Sequence, residues 1–305
     1  MEPSSLVRLA FGAPNPLTTK DSADDTSALP RSCSTMFEMA FLQREDFRVL
    51  HEPLGEPFYY GPERMSRRFT EERRPEDFKK YAKVTFRDMW ADIAELNAEG
   101  KFRTFVKDMA QYIIPPLTRT PTTPELPSYR QDGNPTVLSS DFLLHPDVCH
   151  AFLIRTPEKT VPTPKSQVTD FDYFEPEEVG IRESRLLYDW LVKQGQKPML
   201  IDAAKLLANP VPTMKAFCDE CNVDFTEDMC HWEGGRVQEH FKKWAGFHED
   251  AENSVGIAKP AGSPKDRDIS EAQKAKEATE MPNVVQSTIQ ENMSDYKYLS
   301  AQAIS

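Results

Sequence analysis

Pro30-Arg31-Ser32-Cys33-Ser34-Thr35 runs straight into the apolar, helix-prone stretch Met36-Phe37-Glu38-Met39-Ala40-Phe41-Leu42. A short polar loop that opens a helix holds anions. Its backbone N–H groups and the positive end of the helix dipole point at the ligand. Ser32, Ser34 and Thr35 add hydroxyl donors, Cys33 a backbone donor, and Arg31 a planar cationic fork. The chemistry implied is the binding of a phosphate or a similar oxyanion. The stretch has no glycine pair and no Lys-Ser/Thr, so it is not the nucleoside-triphosphate loop. Hydrolysis of a triphosphate would also need an acid for Mg²⁺, and none stands out.

Two further groups are spaced to work with that loop. Phe47-Arg48-Val49-Leu50 reads as a short strand and ends in His51-Glu52-Pro53, which puts an imidazole and a carboxylate at its carboxyl end. Downstream, the apolar run Val148 to Ile154 ends in Arg155, followed by Thr156-Pro157 and, further on, Thr163 and Ser166. Glu56 is a further carboxylate. Lys107 is a cation at the end of the strand-like stretch Phe102–Val106, where a solvated lysine is the simplest reading.

The Pro-Arg-Ser loop, the strand ending in Arg155 with Pro157 after it, the spacing from Arg31 to Glu52, and the segment Phe241–Asp250 together resemble the sulfotransferase family. The similarity is to its Pro-Arg-Ser-type, largely fungal, sulfotransferase-like branch, over residues 30–300. The resemblance implies an α/β, three-layer P-loop-like fold with a central parallel sheet flanked by helices. It implies the cofactor 3′-phosphoadenosine 5′-phosphosulfate (PAPS), with its phosphosulfate on Arg31, Ser32, Cys33, Ser34 and Thr35. The 3′-phosphate would lie on Arg155 and Thr163, with Ser166 as a nearby alternative to Thr163. A small-molecule hydroxyl would be the acceptor, Glu52 the proton acceptor with His51 as alternative, and Arg31 the stabiliser of charge on the bridging oxygen. A relative that keeps the fold without the transfer chemistry is the other reading.

The elements that must position these groups alternate. The pattern predicts helix over 36–46, strand over 47–51, a charged helical stretch over 62–98, strands near 102–106, 148–154 and 198–201, and helices over 177–194, 213–222 and 282–299. Short apolar strands between helices predict a parallel sheet covered on both faces, with ligands at the carboxyl ends of its strands. Residues 1–29 read as an irregular N-terminal segment and 30–305 as a single domain. The polar run Asp21–Leu29 leaves the loop without the buried strand that should precede it. Leu6–Phe11 is the nearest apolar stretch, displaced from the loop.

A formal net charge of −12 over 305 residues argues against a nucleic-acid partner. No long apolar run predicts a membrane span, and Met1–Ala10 has no secretory core, so the expectation is a cytoplasmic enzyme. The 5 cysteines are read as free thiols of a reducing compartment. Cys218-Asp219-Glu220-Cys221 with Cys230-His231 nearby has metal-like spacing, but its helical setting sets a metal site aside. Phe58, Tyr59, Tyr60, Trp244, Phe247 and His248 are the aromatics available to line an acceptor cleft, or a core.

Overall fold

Val7–Gly12 (β1) is the middle strand of a five-stranded sheet, and everything at the candidate site is arranged around it. The computed structural model describes residues 7–12, 33–98, 101–116, 132–161, 176–233, 241, 254–258 and 283–304. The other strands are Phe47–His51 (β2), Arg103–Met109 (β3), Val148–Ile154 (β4) and Met199–Asp202 (β5). They lie in the order β2-β3-β1-β4-β5, and every neighbouring pair is parallel.

The displaced apolar stretch is therefore the missing strand. The division at residue 29 is corrected for residues 7–12, which are the heart of the sheet and not an irregular lead-in. A central strand of a sheet covered on both faces needs mostly apolar residue types, which Val-Arg-Leu-Ala-Phe-Gly supplies and the run at 21–29, with three aspartates, does not. Residues 13–32 lie outside the described residues.

The helices are Cys33–Leu42 (α1), Gly55–Tyr59 (α2), Pro75–Tyr81 (α3), Phe86–Ala98 (α4), Ala110–Ile113 (α5), Ser140–Leu143 (α6), Pro157–Thr160 (α7), Ile181–Lys193 (α8), Ala203–Ala208 (α9), Pro210–Glu220 (α10) and Asn283–Ser300 (α11). Side chains alternate across the sheet. Leu50, Val106, Phe152, Ile154 and Leu200 face a core shared with α2, α4, α5, α8 and α11. Phe47, Val49, Phe105, Ala151, Leu153, Met199 and Ile201 face a second core shared with α1, α9 and α10. The architecture is α/β, a parallel sheet with helices on both faces.

Aromatic packing holds α1 against the sheet. Phe41 stacks on Phe105 with ring centroids 4.0 Å apart, and Phe37 meets Phe217 edge-on at 4.9 Å. Each fully buried Phe contributes about 1.5–3 kcal/mol, so this cluster fixes where the first turn of α1 lies. On the other face, Arg185 of α8 bonds Asp295 of α11 at 2.6 Å.

Cys149 and Cys221 form a disulfide joining β4 to the end of α10. This corrects the reading of five free thiols: residues far apart in sequence meet where α10 packs on the sheet. It also separates the C-x-x-C pair, since Cys221 bonds Cys149 while Cys218 Sγ lies 3.9 Å from Met229 Sδ. No helix among the described residues is long and apolar enough to cross a membrane.

Candidate functional site

The strand registers bring the carboxyl ends of the sheet to one level. His51 pairs with Lys107, Lys107 with Ala10, Gly12 with both Met109 and Leu153, and Ile154 with Asp202. Along that edge stand two groups of polar residues, one on each side of β1.

On the β4–β5 side the first turn of α1 lies within electrostatic reach of two cations. Cys33, Ser34 and Thr35 open the helix, all three are buried, and no acidic residue occupies the first turn. Burial pushes the Cys33 thiol up from its ordinary range. Arg155 and Lys159 pull it back and Asp202 pushes it further, which puts all three charges within electrostatic reach of the helix start. Arg155 follows β4 directly. The short α7 then turns the chain, with Pro157 at its first position and the buried Thr160 hydroxyl donating to the Arg155 carbonyl (3.3 Å) and the Thr156 carbonyl (3.0 Å). Asp202 is a structural acid here: it accepts from the Ala204 N–H, capping α9, and from the hydroxyls of Tyr296 and Ser300.

Arg155 is thus within electrostatic reach of Cys33, which opens α1 with Ser34 and Thr35. Arg31, Ser32, Thr163 and Ser166 lie outside the described residues, as do Trp244, Phe247 and His248. Lys159 and Thr160 were missed by sequence reasoning. The Pro157 N1 signal that starts α7 was there to place both on a helical turn beside Arg155.

On the β2–β3 side lies a buried network. Glu52 has a left-handed backbone, with φ 46°, a conformation costing about 1–3 kcal/mol for a residue of its kind. The surroundings hold it there. Its N–H donates to the Lys107 carbonyl at 2.7 Å, and its own carbonyl accepts from Gly55 N–H. The Lys107 ammonium is bonded to Glu52 Oε1, and the Tyr112 hydroxyl donates to Oε2 at 3.1 Å. Asp108 accepts from the N–H of Leu54 and of Met109, stapling the His-Glu-Pro turn to the end of β3. Burial, and then the Glu52 charge, push the Tyr112 phenol well above its ordinary range, so it stays a donor. Lys107 is 1 % exposed, which corrects its reading as a solvated lysine. The strand runs on to Met109 and carries the ammonium inside, where Glu52 compensates it.

His51 ends β2 and is buried, and its Nδ1 lies 2.7 Å from Oε2 of Glu38. Glu38 is fully buried on α1 and was not singled out by sequence reasoning. The signal was a lone charge inside the run Met36–Leu42. Phe58, Tyr59 and Tyr60 are core residues: Phe58 packs on Tyr112 with centroids 4.6 Å apart, and Tyr60 stacks on Phe69 at 5.5 Å. Glu56 is half-buried in the first turn of α2.

No protein-family model matches the chain. It is similar to branched-chain-amino-acid aminotransferase-like protein 2 of Arabidopsis thaliana, 26 % identical over 239 residues, which covers 77 % of this chain and 36 % of that protein. It is similar also to branched-chain-amino-acid aminotransferase-like protein 1 of the same plant, 25 % identical over 268 residues, covering 87 % of this chain and 42 % of the relative. The chain therefore spans well under half the length of these relatives. Among solved structures, the sulfotransferase domain from the curacin biosynthetic pathway superposes with a TM-score of 0.44 at 14 % identity, over 96 % of this chain and 97 % of that domain.

Proposed function

We propose that this chain is a sulfotransferase-like protein that moves a sulfuryl group from PAPS to a hydroxyl of a small-molecule acceptor. The observation that carries the reading is the single edge shared by three features: the first turn of α1, the cations Arg155 and Lys159, and the proton-accepting groups His51 and Glu52. The strand order, with β1 between β3 and β4, is taken as P-loop-like, and the carboxyl edge of such a sheet is where ligands bind. The name of the Arabidopsis relatives comes from proteins of which the match is a minor part, and it is not carried over.

The residues suit the donor. The N–H groups and hydroxyls of Cys33, Ser34 and Thr35, continued by Arg31 and Ser32, would hold the phosphosulfate. Arg155 and Lys159, with Thr163, would hold the 3′-phosphate. When bound, the donor supplies the sulfuryl group and leaves as 3′-phosphoadenosine 5′-phosphate. Arg31 would stabilise charge on the oxygen that separates from sulfur. His51 or Glu52 would take the proton from the attacking hydroxyl, a contribution of about 10²–10⁴-fold.

Thermal unfolding with 3′-phosphoadenosine 5′-phosphate tests this. At 100 times the dissociation constant the ligand stabilises by about 2.7 kcal/mol, a rise of a few degrees. The rise is expected for the parent chain, to be lost in Arg155→Ala, and to be absent with ATP and Mg²⁺. No rise at millimolar ligand would favour the alternative, a relative that keeps the fold without this chemistry.

A further inference from the structure

The motif Cys218-Asp219-Glu220-Cys221 plays no part in the candidate site, yet its second cysteine is bonded across the fold. Cys149 stands near the start of β4, beside Arg8 of β1, and Cys221 closes α10. The two sides of the bond differ in access. Cys221 is 3 % exposed, while Cys149 is half-buried, so the bond can be approached from the β4 side. Thiol–disulfide exchange needs such access as well as a thiolate.

A line of contacts runs from that bond to the first turn of α1. The Cys221 N–H donates to the Phe217 carbonyl at 3.0 Å, so Phe217 lies one helical turn before it on the same face of α10. The Phe217 ring meets Phe37 edge-on at 4.9 Å and Phe41 edge-on at 5.7 Å. Phe37 in turn lies one helical turn after Cys33 on the same face of α1. A second tie follows the chain past Cys221. The Val223 N–H donates to the Cys218 carbonyl at 2.7 Å, the Arg44 guanidinium donates to the Asp224 carbonyl, and Arg44 Nη1 lies 3.7 Å from Met229 Sδ. Arg44 comes just after the end of α1. The body of α1 and its far end are thus braced by the segment that Cys221 pins to β4.

We propose that Cys149–Cys221 is a reducible latch, whose opening releases the end of α10 from β4 and loosens α1 as far as the Cys33 turn. In the step, a thiolate of an external dithiol attacks the Cys149 sulfur. The S–S bond breaks with its electron pair going to the Cys221 sulfur, which takes a proton. The second thiol of the dithiol loses its proton and attacks its own partner sulfur in the mixed disulfide, freeing Cys149, which takes a proton in turn. Two electrons pass to the protein and the dithiol leaves as a disulfide. Redox changes of this kind act as switches where they bias a packed element. Here the element is α1, whose first turn lies within electrostatic reach of Arg155 and Lys159. The consequence for anion binding rests on the sulfuryl-transfer reading; the latch itself does not.

Hydrogen exchange of the full chain, followed by mass spectrometry with and without dithiothreitol, tests the latch. After reduction, amide protection is expected to fall by about tenfold more in α1 and α10 than in α8 and α11, which belong to the other core. An equal fall in both cores, or none, would overturn it, because the disulfide would then not act on α1 in particular. Iodoacetamide reads the turn itself. Cys33 is 2 % exposed, and its alkylation, mapped by peptide mass, is expected to be about tenfold faster after reduction. An unchanged rate at Cys33 would overturn the reach of the latch to that turn. Cys149→Ala/Cys221→Ala without reductant is expected to reproduce both results, and a folded double variant that behaves like the oxidised parent would overturn the proposal. Affinity for 3′-phosphoadenosine 5′-phosphate is expected to be about tenfold weaker in the reduced chain. Equal affinity would overturn the link to anion holding. Binding in neither form would sink the sulfuryl-transfer reading, while exchange and alkylation would still decide the latch.

Discussion

The Glu52 N–H donates to the Lys107 carbonyl at 2.7 Å while the Lys107 ammonium reaches the Glu52 carboxylate. The two residues are thus bonded through backbone and side chain at once, and the strained Glu52 turn is held by the same partner that its charge compensates. Lys107→Met would leave Glu52 buried without that cation. It is expected to destabilise by about 3–5 kcal/mol in urea unfolding, with the double variant Lys107→Met/Glu52→Gln losing less than the single.

His150 gives the fold a pH dependence. Burial holds its pKa down to about 4, and its Nε2 donates to the Leu143 carbonyl at 2.6 Å, so the ring is neutral in the folded chain. The unfolded chain binds the proton near pH 6.5. The stabilisation is full above about 6.5 and is lost as pH falls toward 4, by roughly 3 kcal/mol. Unfolding free energies measured from pH 7 to 4 should fall more steeply for the parent chain than for His150→Leu.

Gly180 stands at φ 73°, and a Cβ there would come within 2.3 Å of Gln111 Oε1. Gly180→Ala is expected to destabilise by about 1–3 kcal/mol through backbone strain and displacement of Gln111, which donates to the Glu178 carbonyl. Gln111→Ala in the same background should recover the steric part, as read by thermal melting.

The Cys149–Cys221 disulfide closes a long loop, with a sequence separation of 72. Reduction, or Cys149→Ser, is expected to cost about 2–4 kcal/mol. Chemical denaturation with and without dithiothreitol checks this, and a midpoint indifferent to reductant would contradict it.

Much of the sheet was legible in the sequence. Phe47–His51 and Val148–Ile154 are where the pattern places them; Val148–Ile154, buried on both faces, announces itself as a nearly continuous apolar stretch, while the half-buried edge strand Phe47–His51 shows a shorter one around Arg48. The charged stretch 62–98 divides into α3 and α4, since Val84 and Thr85 interrupt it and the Thr85 hydroxyl caps the second helix at Asp88 N–H. The start of α1 at Cys33 rather than Met36 was hidden because small polar residues read as loop until the dipole end is seen to carry them. At the site, Arg155 and His51-Glu52 were legible from strand ends. Glu38 and the Lys107 ion pair were not, because each charge is compensated by a residue distant in sequence, and periodicity carries no trace of such a partner.

The placement of β1 between β3 and β4 divides the work of the edge between two flanks. On the proposed reading, anion-holding groups would come from the end of β4 and the turn of α7 and proton-handling groups from the end of β2, while α1 lies beside both, through Cys33 on one side and Glu38 on the other. Such an arrangement is modular in evolution. If the proposed reading holds, drift on the β2–β3 flank would change which hydroxyl is accepted while the donor's anchorage stayed as it was, and drift on the other flank would do the reverse. Substitutions in α1 have no such freedom, because any that tilt the helix disturb both halves together.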